Sequence, residues 1–118
     1  MQGLSTIRER FDSCSDSLGP YVIVTTEPIW NKVIELKERE VKIRFLTEIT
    51  KDNIPYCKEF IKIAQVRHFD GVRVNFAILD GKEYQGTIIY EEPGPVTQLI
   101  VSNIESFVDQ HQHIFNTL

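Results

Sequence analysis

VKIRFLTEITKDNIPYCKEFIKIAQVRHFDGVRVNF, residues 41–76, is the stretch on which the fold turns. Its opening, Val41-Lys42-Ile43-Arg44-Phe45-Leu46, sets apolar side chains between charged ones and reads as a strand. The polar residues 47–53 follow. Asn53 then stands as an N-cap before Ile54-Pro55, and proline suits the first turn of a helix. Cys57, Phe60, Ile61 and Ala64 recur at helical spacing. The period changes again at residues 72–79 (VRVNFAIL), which read as another strand. Strand, crossover helix and strand in that order imply a parallel pair with a right-handed connection.

Upstream, Pro28 opens another helix after Thr26 or Glu27, with Ile29, Trp30, Val33, Ile34 and Lys37 on one side. The charged Lys32, Glu35, Glu38 and Arg39 take the other side, and Glu40 ends it. Residues 10–16 read as a first strand of weak alternation, because Ser13 and Ser15 share a face with Phe11. Ser17-Leu18-Gly19-Pro20 breaks the chain, and Tyr21-Val22-Ile23-Val24 reads as a competing strand or a packed loop. A short helix over 1–8 places Leu4 and Ile7 on one side.

Downstream, Asp80-Gly81 signals a hairpin. Residues 84–90 return as its partner strand, 91–95 turn, and 96–101 form a further strand. Ser102 or Asn103 caps a last helix whose stripe is Ile104, Phe107, Val108, His111, Ile114, Phe115 and Leu118. The expected fold is α/β, a mixed β-sheet with helices on both faces, ordered β-α-β-α-β-β-β-α after the short N-terminal helix. Trp30, Val33, Ile43, Phe45, Phe60, Ile61, Phe76, Ile78, Phe107 and Phe115 are the expected core.

The composition bounds the function. A chain of 118 residues with 42% hydrophobic residues fits one domain over 1–118 with a core of its own. Lys and Arg number 13 against 17 Asp and Glu, a formal charge of -4, which argues against a nucleic-acid partner. No apolar run approaches the ~20 residues of a membrane span, and no secretory signal opens the chain. Two cysteines are too few for a disulfide scaffold and suit a reducing cytoplasm. The common nucleotide, zinc-protease and hydrolase motifs are absent from the sequence, so no reaction or cofactor is indicated.

Candidate ligand-binding residues follow from position. Residues 47–53 lie beyond the C-terminal end of a parallel strand, where open α/β sheets bind ligands. Arg44 offers a planar donor fork to a carboxylate or phosphate, and Glu48, four residues on, leaves the same face to orient it. A capping loop with a surface ion pair is the plainer reading of the same residues. Residues 67–71 (RHFDG) hold an anionic or polar ligand, or else end a helix with basic groups facing its dipole. The expected site is Cys14, Arg44, Glu48, Asn53, His68 and Arg73. Cys57 and His111 fall on apolar stripes and read as core residues, and no metal site is expected.

The strings TEIT (47–50), YCKE (56–59) and RHFDG (67–71), with Asn53, resemble the N-terminal sensory region of archaeal, thaumarchaeal-type histidine kinases. Residues 10–16 (RFDSCSD), 98–103 (QLIVSN) and 115–118 (FNTL) extend the likeness over nearly the whole chain, and residues 21–24 depart from it. The layout also resembles one half of the phospholipase D fold used by sugar-sensing archaeal transcription regulators. With Asp80 on that family's motif aspartate, Arg73 stands at the histidine and Asn75 at the lysine. A guanidinium that stays protonated cannot be the nucleophile, so the resemblance implies the fold without the reaction.

These resemblances imply a non-catalytic sensory input domain of an archaeal histidine kinase. It would bind a small ligand or a partner and signal through its C-terminal helix to a transmitter domain in the same chain. The unstopped apolar stripe of that helix implies a fragment of a longer protein and a homodimer. The alternatives are an effector-binding domain of a transcription regulator and, far behind, a phosphodiesterase.

Overall fold

The computed structural model describes residues 7–89 and 97–118. Six strands, β1 (Arg10–Ser15), β2 (Lys42–Thr47), β3 (Gln65–His68), β4 (Asn75–Leu79), β5 (Glu83–Ile89) and β6 (Thr97–Ser102), form one mixed sheet in the order β3-β2-β1-β4-β5-β6. β1, β2 and β3 run parallel, while β4, β5 and β6 continue antiparallel. Among the described residues the helices are α1 (Gly19–Thr25), α2 (Glu27–Glu38), α3 (Ile54–Ile61) and α4 (Glu105–Thr117).

The helices divide between the two faces. On one, Val33 and Leu36 of α2 pack with Ile43, Val41, Leu79 and Ile7, joined by Ile23 of α1. Phe60 of α3 stacks on Phe45 at 4.2 Å and takes the edge of Trp30 at 5.2 Å. On the other, Val108 and Phe115 of α4 close over Cys14, Leu46, Phe76 and Ile78. The strand period of two feeds both cores from β1: Phe11 turns to the first, Cys14 to the second. Tyr84 lies across Gly86, where a Cβ would meet its phenol, and the ring packs edge-on to Phe107 at 4.9 Å.

Several expectations are corrected. Residues 21–24 are neither strand nor loop but lie in α1, where Pro20 occupies the first turn and Thr26 N–H donates to Val22 O at 3.1 Å. β-branching costs a helix only tenths of a kcal/mol per residue, and packing overrides it. α3 stops at Ile61, so Ile61 is 62% exposed instead of buried and Ala64 lies beyond the helix. The chain then forms β3, an edge strand whose mainly exposed side chains carry no alternation to read. β4 begins at Asn75, not at Val72. The observed order is therefore β-α-α-β-α-β-β-β-β-α, and the phospholipase D-like order does not follow from it. Trp30 and Phe107 are half-buried, and apart from Ile61 the other expected core residues are buried.

Of the helix expected over 1–8, residues 1–6 lie outside the described residues, and Ile7 and Arg8 are not helical. Tyr90 and the turn at 91–95 also lie outside them. The hairpin at Asp80-Gly81 has the left-handed backbone such turns require, with φ of 55° and 68°. Asp80 does more than turn: its carboxylate accepts the N–H groups of Arg8, Glu9 and Arg10 at 3.0, 2.8 and 3.0 Å, pinning the start of β1.

Candidate functional site

A crevice opens at the C-terminal ends of the parallel strands. The residues after β1, β2 and β3 meet there, so backbone and side-chain polar groups converge without any one element folding over them. Asp16, just past β1, exchanges two bonds with Asn75: its N–H donates to Asn75 Oδ1 at 3.1 Å, and its Oδ2 accepts Asn75 Nδ2 at 3.0 Å. Its Oδ1 accepts Leu18 N–H at 3.0 Å, and Thr47 Oγ1 donates to its carbonyl at 2.9 Å. The aspartate is thereby locked beside a cavity of about 650 Å³ lined by Asp16, Ser17, Leu18, Glu48, Gly71, Val72 and Arg73. A second cavity of about 470 Å³ shares Asp16 and Leu18 and runs between α1, β1 and the start of β4.

Asn53 holds the crevice floor. Its Nδ2 donates to Ser17 O at 2.9 Å and Glu48 O at 2.8 Å, while its Oδ1 accepts Thr50 N–H at 2.8 Å and faces Cys57 Sγ. Asn53 stands at the N-cap position of α3 as expected, yet its side chain makes no cap bond and serves the loop instead. His68 is similarly committed. Its Nδ1 accepts Ile49 N–H at 2.9 Å, which leaves the ring proton on Nε2, 2.6 Å from Asp70 Oδ1. Both residues are positioning groups with no free atom to offer a ligand. Glu48 and Arg73 differ: among the described residues neither side chain has a hydrogen-bond or ion-pair partner, and both line the larger cavity. Two acids, Asp16 and Glu48, thus line one opening with the cation Arg73, a set suited to a small ligand carrying both an anionic group and hydroxyls or an amine.

Two expected members lie elsewhere. Cys14 is 1% exposed beneath α4, and burial pushes its thiol up to about 11, so it is a core group. It backs the smaller cavity but offers no thiolate there. Arg44 lies three residues before the end of β2, on the face covered by α4, and is not among the residues that line the crevice. Its carboxylate is Asp12, not Glu48: Arg44 Nε and Nη2 each reach the wholly buried Asp12 at 2.7 Å. The two residues are register partners on adjacent strands, a cross-strand proximity that spacing along one strand does not show. That hydrogen bond raises the Arg44 pKa further. Gln112 Nε2 adds a third bond to Asp12 at 3.0 Å from α4, and the Arg44 guanidinium lies 5.1 Å over the Phe115 ring.

Sequence reasoning missed Asp12, Asp16, Ser17 and Gln112. The rule that drew attention to residues 47–53 applies equally to the end of β1, and would have found Asp16 and Ser17. No signal in the sequence marks Gln112, a polar residue inside an apolar helix face. Among the described residues no cluster of His, Cys, Asp and Glu could hold a metal ion, and no helix is long and apolar enough to cross a membrane.

No family model matches the chain, and no curated protein matches it. Among solved structures the chain is similar to TrmBL2, described as an archaeal chromatin protein with a novel mode of DNA binding. The TM-score is 0.69 at 18% identity, over 97% of this chain and 44% of that one. The chain thus spans less than half the length of that relative. The comparison overturns the resemblance to histidine-kinase sensory regions, and the two-component role and the transmitter-domain partner fall with it. The strings behind that resemblance serve local needs here: residues 47–53 tie a loop, and Gly71 takes a left-handed turn at φ 73°. Such turn chemistry recurs in unrelated folds. The exclusion of nucleic acid from the partners is overturned too, because the charge of one domain does not decide what a longer protein binds. At 18% identity the likeness establishes the fold alone, and the fold of this chain is one that occurs within a DNA-binding chromatin protein.

Proposed function

We propose that the chain is the non-catalytic effector-binding domain of an archaeal-type, DNA-binding transcription regulator acting in the cytoplasm. The observation that carries this reading is the likeness of 97% of the chain to less than half of a protein whose description names DNA binding. An acidic domain inside such a protein is better suited to sensing than to touching phosphates. The crevice at the strand ends supports the sensing role: it holds unpartnered Glu48 and Arg73 over a floor fixed by Asn53 and Asp16. The same reading takes the sheet as a phospholipase D-like half whose Asp80 has become a turn residue. It also takes α4, with Ile104 and Ile114 exposed, as the helix that pairs two copies.

The test uses the full-length protein. Fluorescence anisotropy should show binding to duplex DNA with an affinity that falls steeply with salt. A thermal-shift screen of polar metabolites should find one that alters this affinity by roughly 5–150-fold, the usual range of coupling between sites. Arg73→Gln should abolish the response and leave DNA binding intact. A full-length protein that binds no DNA at any salt concentration refutes the reading.

A further inference from the structure

On the face of the sheet that α4 covers, a separate cavity of about 230 Å³ lies between β2, β3 and the last turn of α4. Arg44, Gln65, Arg67, Phe115 and Asn116 line it with strand backbone. Register explains the grouping. Arg44 pairs with Gln65 and Leu46 with Arg67, so these side chains leave one face of the two strands. We propose that this cavity is a binding site for a small oxyanion, a phosphate or carboxylate group on a compact metabolite. The proposal does not depend on the DNA-binding reading.

The polar atoms left free in the cavity are predominantly donors. Asn116 Oδ1 already accepts Arg44 Nη2 at 3.0 Å and Gln112 Nε2 at 3.2 Å, which leaves its Nδ2 amide to donate. Arg44 spends Nε and Nη2 on Asp12 and keeps Nη1 free. Arg67 donates Nη1 to the main-chain oxygen of Leu118 at 2.9 Å and has no Asp or Glu partner among the described residues, so the rest of its fork is unspent. No acidic residue lines the cavity, although acids outnumber bases 17 to 13 in the chain.

Charge points the same way. Asp12 is the one carboxylate within ion-pair distance of Arg10 or Arg44 among the described residues, Arg10 Nε lying 3.7 Å from it. Two guanidinium groups therefore share a single buried anion, and Arg67 adds a third positive group on the cavity wall. Phe115 lies under the Arg44 guanidinium and, with Asp12, fixes its plane, so the remaining Nη1 is held in place to donate. The volume lies below the ~300 Å³ at which drug-sized ligand pockets begin, which restricts the occupant to a few heavy atoms beyond the anionic group. A ligand there would touch the β2–β3 edge and α4 at once and tie the helix to the sheet.

Isothermal titration calorimetry on the full chain tests this with inorganic phosphate and, separately, malonate, with ionic strength held constant by chloride. Saturable binding of at least one anion is expected, and the arm that binds distinguishes phosphate from carboxylate chemistry. Arg67 is exposed and makes one protein hydrogen bond, so Arg67→Gln should keep the wild-type melting temperature yet weaken binding by about tenfold or more, the loss of one charge-assisted contact. Lys32→Gln, on exposed α2 across the sheet, should leave it unchanged. No saturable heat from either anion up to about 10 mM, where any site of useful affinity would fill, overturns the proposal. So does an Arg67→Gln variant that binds as well as the wild type.

Discussion

Removing Arg44 while leaving Asp12 in place should be among the most damaging single changes outside the apolar cores. Asp12 is 0% exposed, and Arg44 supplies two hydrogen bonds of 2.7 Å that share its charge between two nitrogens. Breaking a buried pair from one side costs about 3–5 kcal/mol, because the surviving charge stays in a low dielectric. Two features moderate the loss: Arg44 is itself 30% exposed, and Gln112 remains at 3.0 Å with Arg10 Nε at 3.7 Å. Arg44→Met should therefore lose about 3 kcal/mol, a large share of the ~5–15 kcal/mol that holds a domain together. Urea unfolding followed by far-UV circular dichroism at pH 7 measures it. Adding Asp12→Leu should restore most of the loss, since replacing both charges removes the orphan, and Gln112 keeps Asn116 Oδ1 as a partner at 3.2 Å. A single variant that loses less than about 1 kcal/mol, or a double variant as unstable as the single, refutes the account of Asp12 as a charge that depends on Arg44.

Two further outcomes can be measured on the same protein. Burial pushes the Asp80 carboxyl up, but the N–H groups of Arg10, Glu9 and Arg8, with Lys82 nearby, outweigh it and hold the group below its usual range. A depressed carboxylate contributes stability above its unfolded pKa and loses it as pH falls through the folded value, so the melting temperature should drop below about pH 4. Asp80→Asn should flatten that acid limb, and an unchanged limb counts against the role given to Asp80. Burial raises both cysteine thiols, Cys14 to about 11, so neither is a thiolate at pH 8. A disulfide reagent should label both only as fast as the protein unfolds, and rapid labelling of the native protein contradicts the packing of Cys14 under α4.

What the sequence disclosed followed the amplitude of its patterns. α2, α3 and α4 each show one apolar stripe, and β2 alternates, so their existence was legible within a few residues. β3 was not, because an edge strand with one half-buried side chain, Val66, has no apolar period to betray it. α1 was misread because Val22, Ile23 and Val24 favour strands locally, while the helix is fixed by Pro20 and by packing on α2 and α3. Around the crevice, the loop 47–53 with Glu48, Asn53 and His68 lies at the strand ends where the sequence reading put it, and Arg73 joins them there. Arg44 does not, since its partner lies 32 residues away on a neighbouring strand and contact across a sheet is invisible to spacing along the chain.

The charge argument failed for a different reason. A net charge of -4 is a sum over the whole surface, while binding depends on the few groups that face a ligand. This chain shows the distinction within itself, for an acidic domain sets Arg44 and Arg67 around a cavity with no acid on its wall. The crevice and that cavity also meet on β2, which pairs along its length with β1. Asp12 and Arg44 lie on these strands beneath α4, and Asp16 and Thr47 stand where the same strands end, joined by a 2.9 Å bond. Two ligands bound at these places would act on one pair of strands. Any effect of the first on the affinity of the second must then be matched by an equal effect of the second on the first.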